Sequence, residues 1–204
     1  MVMEASFLER HPRLNDALHF TIFVVCVVLG TILINTYVFR SFNVSGHSME
    51  KTLQDGDRLI VNRLPVSVAS LQNKPYIPER GQIIVFQNPR YADGLKDEYL
   101  VKRVIALPGE RVTVKDGVVT VYNDEYPSGH VYDDEYRKDG LGPLSPSTGD
   151  QDIVVPNDTV YVAGDNRIGS NSYDSRIGLG TIPLFKIVGP VGVRIFPFDK
   201  VSTY

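Results

Sequence analysis

The chain has 204 residues, with 21 Lys plus Arg against 24 Asp plus Glu, and 43% of its residues are hydrophobic. This length gives room for one core of ordinary size. A net charge of -3 without a basic block argues against nucleic acid as the main partner, because nothing would neutralise a run of phosphates. The lone Cys26 excludes an intrachain disulfide framework, and no Cys and His cluster has the spacing of a structural zinc site.

An apolar segment lies near the N-terminus. Ala17 to Phe39 is a run of 23 residues without a formal charge, of which 18 are apolar or Gly. As a helix it would cover about 35 Å, enough to cross the hydrocarbon core of a bilayer. A core helix of a soluble domain keeps a polar stripe, and a cleaved signal peptide is shorter and ends at a small-x-small site. The segment therefore predicts a permanent transmembrane anchor at 17–39, which separates a leader at 1–16 from a domain at 40–204.

Beyond Arg40 the sequence changes to short runs rich in Val, Ile, Thr and Tyr, separated by Gly, Pro, Asn and Asp. Such runs are typical of β-strands. The predicted strands are Arg58–Leu64, Gln82–Gln87, Tyr99–Leu107, Arg111–Lys115, Val118–Tyr122, Thr159–Ala163 and Ile187–Phe196. Lys115-Asp116-Gly117 supplies the turn of a predicted hairpin from Glu110 to Tyr122. The predicted fold class is mainly β, an antiparallel β-sheet domain preceded by one N-terminal transmembrane helix.

A stretch from 123 to 150 is dense in Asp, Glu, Gly, Pro, Ser and Tyr. This composition predicts an exposed excursion between strands rather than a second domain. Its tyrosines are also suited to contact with a ligand or a membrane surface.

The first candidate for chemistry is Ser48, in the segment Val44-Ser45-Gly46-His47-Ser48-Met49. A serine near glycine is by itself most often a turn former. Here Thr52-Leu53 and Asp55-Gly56-Asp57 follow, and then a predicted strand. A rigid sheet beside such a loop is a suitable support for a nucleophile.

The second candidate is Lys102, in the predicted strand that begins at Tyr99. Strand alternation places Lys102 on one face and Arg103 on the other, so one of the two cations shares a face with apolar residues. A buried arginine would need a carboxylate partner, whereas a buried lysine can lose its proton and act as a base. A lysine whose amine reaches solvent from an edge strand is the alternative.

The third candidate is a polar loop, Gly164-Asp165-Asn166-Arg167 followed by Ser172-Tyr173-Asp174-Ser175-Arg176. Its composition predicts a loop held by its own hydrogen bonds and by ion pairs among its aspartates and arginines.

These three blocks, in this order behind an anchor, resemble the type I signal peptidases, the membrane-bound Ser-Lys endopeptidases that remove signal peptides from exported proteins. The first block is Gly46-His47-Ser48-Met49 with Thr52-Leu53, and the second runs from Lys102 to Glu110. The third is the polar loop. Because the residue at the base position is a lysine, Lys102, the chain resembles the bacterial type of the family.

The resemblance implies a role for each matching residue. Ser48 would be the nucleophile and its backbone N–H an oxyanion donor, Lys102 the general base, and Ser172 a hydrogen-bond partner of the Lys102 amine. The residues implied as structural support are Arg103, Asp165, Asp174 and Arg176. The residues implied around the substrate pocket are Val44, Met49, Leu100 and Val101, with Met49 packed under the nucleophile and the others forming shallow apolar pockets for small side chains at positions -1 and -3.

The resemblance also implies the setting of the reaction. The protein would be a single-pass protein of the cell membrane with its catalytic domain on the extracytoplasmic side. Its partners would be signal peptides of secreted preproteins, the lipid bilayer and the translocation machinery nearby. No metal or organic cofactor is implied.

Three departures from the family pattern keep alternatives open. Gly46 stands where some members have a serine that contributes to the oxyanion hole. Lys51 replaces a usual proline and creates an S-x-x-K string with Ser48, similar to that of penicillin-binding proteins. The third block is longer within 168–171, so Ser170 competes with Ser172 for the orienting role. A self-cleaving repressor is a further relative with Ser-Lys chemistry, and a non-catalytic, membrane-tethered β-domain that binds exported chains is the alternative function.

Overall fold

The computed structural model describes residues 11–50, 52–91, 98–131, 147–167 and 171–204. Clustering of the backbone divides the chain into two compact units, Met1–Val38 and Phe39–Tyr204. The second unit carries all of the candidate residues.

Helix α1 spans Pro12–Tyr37 in the first unit. In the described part of the chain, its segment Arg13–Tyr37 is the one helix long and apolar enough to cross a membrane. The hydroxyls of Thr21 and Thr31 donate to carbonyls one turn earlier, so these polar side chains are satisfied within the helix. The helix begins before the predicted Ala17 because Pro12 is compatible with a first turn, and Phe39 belongs instead to a strand.

The second unit is built of antiparallel strands, as predicted. Its strands are β1 (Phe39–Asn43), β2 (Arg58–Asn62), β3 (Ile83–Gln87), β4 (Tyr99–Ala106), β5 (Arg111–Lys115), β6 (Val118–Tyr122), β7 (His130–Val131), β8 (Gln151–Val154), β9 (Thr159–Ala163), β10 (Ile182–Pro183), β11 (Ile187–Phe196) and β12 (Ser202–Thr203). One sheet has the order β1-β2-β11-β3-β4-β9-β10, with β12 paired to β11, and a second has the order β7-β6-β5-β8. The predicted fold class is confirmed.

The predicted hairpin is present as β5 and β6, in the register Arg111↔Tyr122. Its turn has positive φ at Asp116 and Gly117, the backbone geometry that tight hairpins require. The predicted strand Arg58–Leu64 ends early, at Asn62, because a short helix α2 (Leu64–Leu71) follows. The side chain of Asn62 accepts a hydrogen bond from the Leu64 N–H at the start of this helix.

The predicted excursion at 123–150 lies only partly within the described residues. Its first part continues into β7, which pairs with β6, and residues 132–146 lie outside the described ranges. The end of the excursion leads into β8, which pairs with β5.

The two sheets share a core. Tyr161 of β9 is buried together with Ile105 of β4 and with valines of β5 and β6. The Tyr161 hydroxyl donates to Oε1 of Gln151 on β8, at 2.6 Å. Burial raises the pKa of Tyr161 well above its ordinary value, so the hydroxyl stays a donor at physiological pH. This contact joins the second sheet to the sheet that carries Lys102.

Substitution of Ile105 by alanine should reduce the free energy of unfolding by about 2 to 5 kcal/mol, because a fully buried isoleucine leaves a cavity. Chemical denaturation of the detergent-solubilised protein would measure the loss. Ile77→Ala is the matched control, since Ile77 is 53% exposed and should change stability by less than about 0.5 kcal/mol. Equal losses in the two variants would contradict a shared core at Ile105.

Candidate active site

Ser48 lies in the loop that connects β1 to β2. The backbone N–H of Gly46 donates to Oδ1 of Asp55 at 2.7 Å, and the N–H groups of Thr52 and Leu53 donate to the Met49 carbonyl. Met49 and Leu53 are buried in the core beneath the loop. The loop is therefore held by apolar packing beneath it and by its hydrogen bond to the Asp55 carboxylate. The Ser48 side chain is half-buried.

Gly46 has a φ of +91°, a conformation that side chains other than glycine adopt only with strain. This backbone geometry is a physical reason for glycine at the position where some family members have serine. The Ser48 loop here has no hydroxyl at position 46.

Lys102 is on the central strand β4, in register with Ile84 of β3, and is only 3% exposed. Its Nζ lies 2.7 Å from Ser48 Oγ and 3.0 Å from the carbonyl oxygen of Val101. The structure thus brings the first and second candidate residues into hydrogen-bonding contact. Lys102 is therefore buried, and the alternative of a lysine whose amine reaches solvent is wrong.

Arg103, on the opposite side of β4, is also buried and pairs with a carboxylate. Its Nε and Nη2 donate to the two oxygens of Asp165 at 2.9 and 2.7 Å. Thr52 Oγ1 donates to the same carboxylate, so Asp165 joins the Ser48 loop to the strand that carries Lys102. We predicted ion pairs within the polar loop; the partner of Asp165 is instead a residue of β4.

The second aspartate of the polar loop does pair within it. The carboxylate of Asp174 accepts hydrogen bonds from the Arg176 guanidinium at 3.0 and 2.6 Å and from the Gly164 N–H at 2.9 Å. Both side chains of this pair are fully buried. Through Asp174, the pair joins the second half of the polar loop to Gly164 at its start.

Ser172 is fully buried, and its hydroxyl makes no hydrogen bond to the described residues. The predicted hydrogen bond from Ser172 to the Lys102 amine is therefore not formed. A methyl group added at Gly164 would lie 2.2 Å from Ser172 Oγ, which shows that this serine packs directly against the glycine. The alternative residue Ser170 lies outside the described ranges, as does Lys51 of the S-x-x-K string.

A groove of about 770 Å³ opens in front of Ser48 and Lys102. Of the predicted pocket residues, Val44, Leu100 and Val101 line it. Met49 does not, because its side chain points into the core under the loop.

The sequence analysis missed part of the groove. Phe42 and Tyr99 form one wall, with ring centroids 5.3 Å apart and the guanidinium of Arg40 over both rings. Tyr99 could have been predicted as a groove residue, because strand alternation places it on the same face of β4 as Val101. Asn88 also lines the groove, but only the pairing of β3 with β4 brings it there.

In the described part of the chain, no group of three or more His, Cys, Asp and Glu side chains could hold a metal ion. The chemistry available at the groove is that of a serine hydroxyl beside a buried amine, with backbone N–H donors next to them.

The sequence matches the family described as signal peptidase, peptidase S26, over residues 15–196. The chain belongs to this family. It is 34% identical to a probable signal peptidase I-2 of Synechocystis sp., over 99% of this chain and 84% of that protein. It is also 34% identical to signal peptidase I T of Bacillus subtilis, over 87% of this chain and 84% of that protein.

A crystal structure of a signal peptidase I from Enterococcus faecalis V583 is 27% identical and aligns with a TM-score of 0.40. The alignment covers 55% of this chain and 95% of that chain.

Substitution of Asp165 by alanine should reduce the free energy of unfolding by about 3 to 5 kcal/mol, because it leaves the buried Arg103 guanidinium without its carboxylate. The unfolding transition in urea would measure this. Asp152→Ala is the matched control, since Asp152 also pairs with an arginine but at the surface, and should change stability little. A result in which the two substitutions cost the same would contradict a stabilising role for the buried pair.

Proposed function

We propose that this protein is a membrane-anchored serine endopeptidase that removes N-terminal signal peptides from exported preproteins, after small residues, with Ser48 and Lys102 as its catalytic dyad. Membership of the signal peptidase family supports the reaction and the class of substrate. The observation that carries the assignment of residues is the 2.7 Å distance between Ser48 Oγ and Nζ of the buried Lys102.

The reaction is acyl transfer. The neutral amine of Lys102 takes the Ser48 hydroxyl proton while Ser48 Oγ attacks the carbonyl carbon of the scissile bond. The Ser48 N–H stabilises the oxyanion that forms. When the C–N bond breaks, the Lys102 ammonium gives its proton to the leaving amine of the mature protein. Lys102 then takes a proton from water, which attacks the acyl-enzyme carbonyl. As the Ser48 Oγ–acyl bond breaks, the signal peptide is released with its new carboxyl end and Lys102 returns the proton to Ser48 Oγ.

Burial is what makes Lys102 a suitable base. Loss of water favours the uncharged amine and lowers the pKa of a lysine. The neighbouring cation Arg103 does not need the same response, because Asp165 neutralises it. In our proposal Arg103 therefore keeps a fixed charge, whereas the adjacent Lys102 accepts a proton.

The groove supports a preference for small side chains. Val44, Leu100 and Val101 border it near the dyad, so this part of its lining is apolar. In our proposal these residues receive positions -1 and -3 of the signal peptide. Asp174 and Arg176 support the loop behind them.

We further propose that α1 is a single transmembrane span in the cell membrane and that residues 40–204 are extracytoplasmic. The length and composition of Arg13–Tyr37 support the span. On that side the protein would meet signal peptides as they leave the translocation machinery.

Purified full-length protein in detergent should cleave a preprotein at its signal peptide. Ser48→Ala and Lys102→Ala should each lower kcat by at least about 10³-fold, because nucleophile and base act as one unit. Activity of the unmodified protein should rise with pH through the pKa of Lys102, since below it the amine is protonated and cannot accept the serine proton. If the acid limb of the pH profile were the same in the residual activity of Lys102→Ala, Lys102 would not be the base.

Lys51→Ala is the matched lysine control and should retain cleavage. Loss in Lys51→Ala with retention in Lys102→Ala would favour the penicillin-binding type of chemistry, which labelling with a fluorescent β-lactam would then detect. Binding of preprotein without any cleavage would favour the non-catalytic, membrane-tethered domain.

A further inference from the structure

The peptide group between His47 and Ser48 is held by Asn166 of the polar loop. Nδ2 of Asn166 donates to the His47 carbonyl oxygen at 3.1 Å. The backbone N–H of Asn166 donates to the Ser48 carbonyl oxygen, also at 3.1 Å. One residue thus holds the two peptide groups on either side of the nucleophile.

The first of these peptide groups contains the oxyanion donor of the proposed reaction. The His47 carbonyl and the Ser48 N–H belong to the same planar trans peptide, so they point in opposite directions. A hydrogen bond that fixes the carbonyl therefore fixes the direction of the N–H. The His47 carbonyl also accepts from the Glu50 N–H at 3.2 Å, and acceptance at the carbonyl polarises the peptide and strengthens its N–H as a donor.

Asn166 is itself held in place from two sides. Nδ2 of Asn171 donates to Asn166 Oδ1 at 3.3 Å, which leaves the Asn166 amide nitrogen facing His47. The preceding residue, Asp165, is buried in its ion pair with Arg103. The side chain that reaches the Ser48 loop therefore starts from a rigid part of the backbone.

The Ser48 loop has a particular need for such support. Gly46 provides no side-chain hydroxyl, so the Ser48 N–H has a larger share in stabilising the oxyanion. A donor acts in catalysis only when it is aimed in advance at the position where charge develops.

We propose that Asn166 is a positioning residue for the oxyanion hole, which orients the Ser48 N–H through the His47 carbonyl. The proposal rests on the proposed function, because it assigns a role within the same reaction. Asn171 supports Asn166 and has a smaller effect of the same kind.

The experiment compares Asn166→Ala with the unmodified full-length protein in detergent. With a preprotein substrate, kcat should fall about 10- to 100-fold, less than the about 10²- to 10³-fold typical of removing an oxyanion donor outright. KM should stay within about twofold, since the peptide group acts on the transition state rather than on the bound substrate. The acid limb of the pH profile should not move, because Lys102 is unchanged.

A pair of ligands isolates the oxyanion contact. A peptide aldehyde with a C-terminal alaninal gives a tetrahedral adduct: Ser48 Oγ bonds to the aldehyde carbon, the C=O π bond becomes an oxyanion, and the serine proton passes to Lys102. The corresponding peptide alcohol forms no adduct. Asn166→Ala should weaken aldehyde binding by about the same factor as kcat and leave alcohol binding unchanged.

Asn123→Ala is the matched control. Asn123 is also a half-buried asparagine that donates to one group, Glu110 Oε1 at 2.9 Å, and accepts from another, the Tyr126 N–H at 2.8 Å. It directly follows β6 of the second sheet and does not line the groove, so its loss should lower stability without changing the ratio of aldehyde to alcohol affinity. Asn171→Ala should lower this ratio less than Asn166→Ala does.

Equal weakening of aldehyde and alcohol in Asn166→Ala, or an unchanged kcat, would overturn the proposal. If Asn166→Ala does not fold, the ratio in Asn171→Ala decides, and an unchanged ratio there would count against the proposal. Absence of cleavage by the unmodified protein would instead contradict the proposed function itself.

Discussion

Burial of the Lys102 amine is the constraint around which the second unit is arranged. A charged ammonium loses solvation when it is enclosed, and the neutral form is favoured as a result. The enclosing elements are the central strands β3 and β4 on one side and the loop that carries Ser48 on the other. The hydroxyl of Ser48 is the polar group that meets the amine at this point, so the same packing that removes water also brings in the proposed reaction partner.

Three segments that are far apart in the sequence have to meet for this contact to form. Asp165 joins them, since its carboxylate binds Arg103 on β4 and Thr52 in the Ser48 loop, while the next residue binds the Ser48 carbonyl. The ion pair of Asp174 and Arg176 closes the loop behind it. Charges that take no part in the proposed mechanism therefore fix the positions of the residues that we propose take part in it.

The sequence was sufficient to predict the mainly β architecture and the strands with clear alternation, because period-two patterns of branched residues are local signals. It also predicted that Ser48 and Lys102 would come together, on the basis of the family blocks. It did not predict β1, β7, β8, β10 or β12, which are short and are each held by pairing with a neighbouring strand. Helix α2 was missed because eight residues are too few for a helical period to be evident.

The details of the site that were predicted incorrectly are those set by tertiary packing. Ser172 carries a hydroxyl suited to bind an amine. It is fully buried against Gly164, however, and makes no hydrogen bond to the described residues. Met49 packs into the core under the Ser48 loop, where we expected it, and so it does not line the groove, where we also placed it. Asn88 is brought to the groove by strand pairing, for which no local pattern exists.

The close approach at Gly164 gives the support of the Ser48 loop less freedom to vary than the groove in front of it. A methyl group there would lie 2.3 Å from the carbonyl oxygen of Ser48, a backbone atom that cannot move without displacing Ser48 itself. The groove wall of Phe42 and Tyr99 is instead made of side chains, which can be exchanged without such a collision. Changes to the shape of the groove are therefore open to its side-chain walls, whereas a side chain at position 164 would displace the Ser48 loop itself.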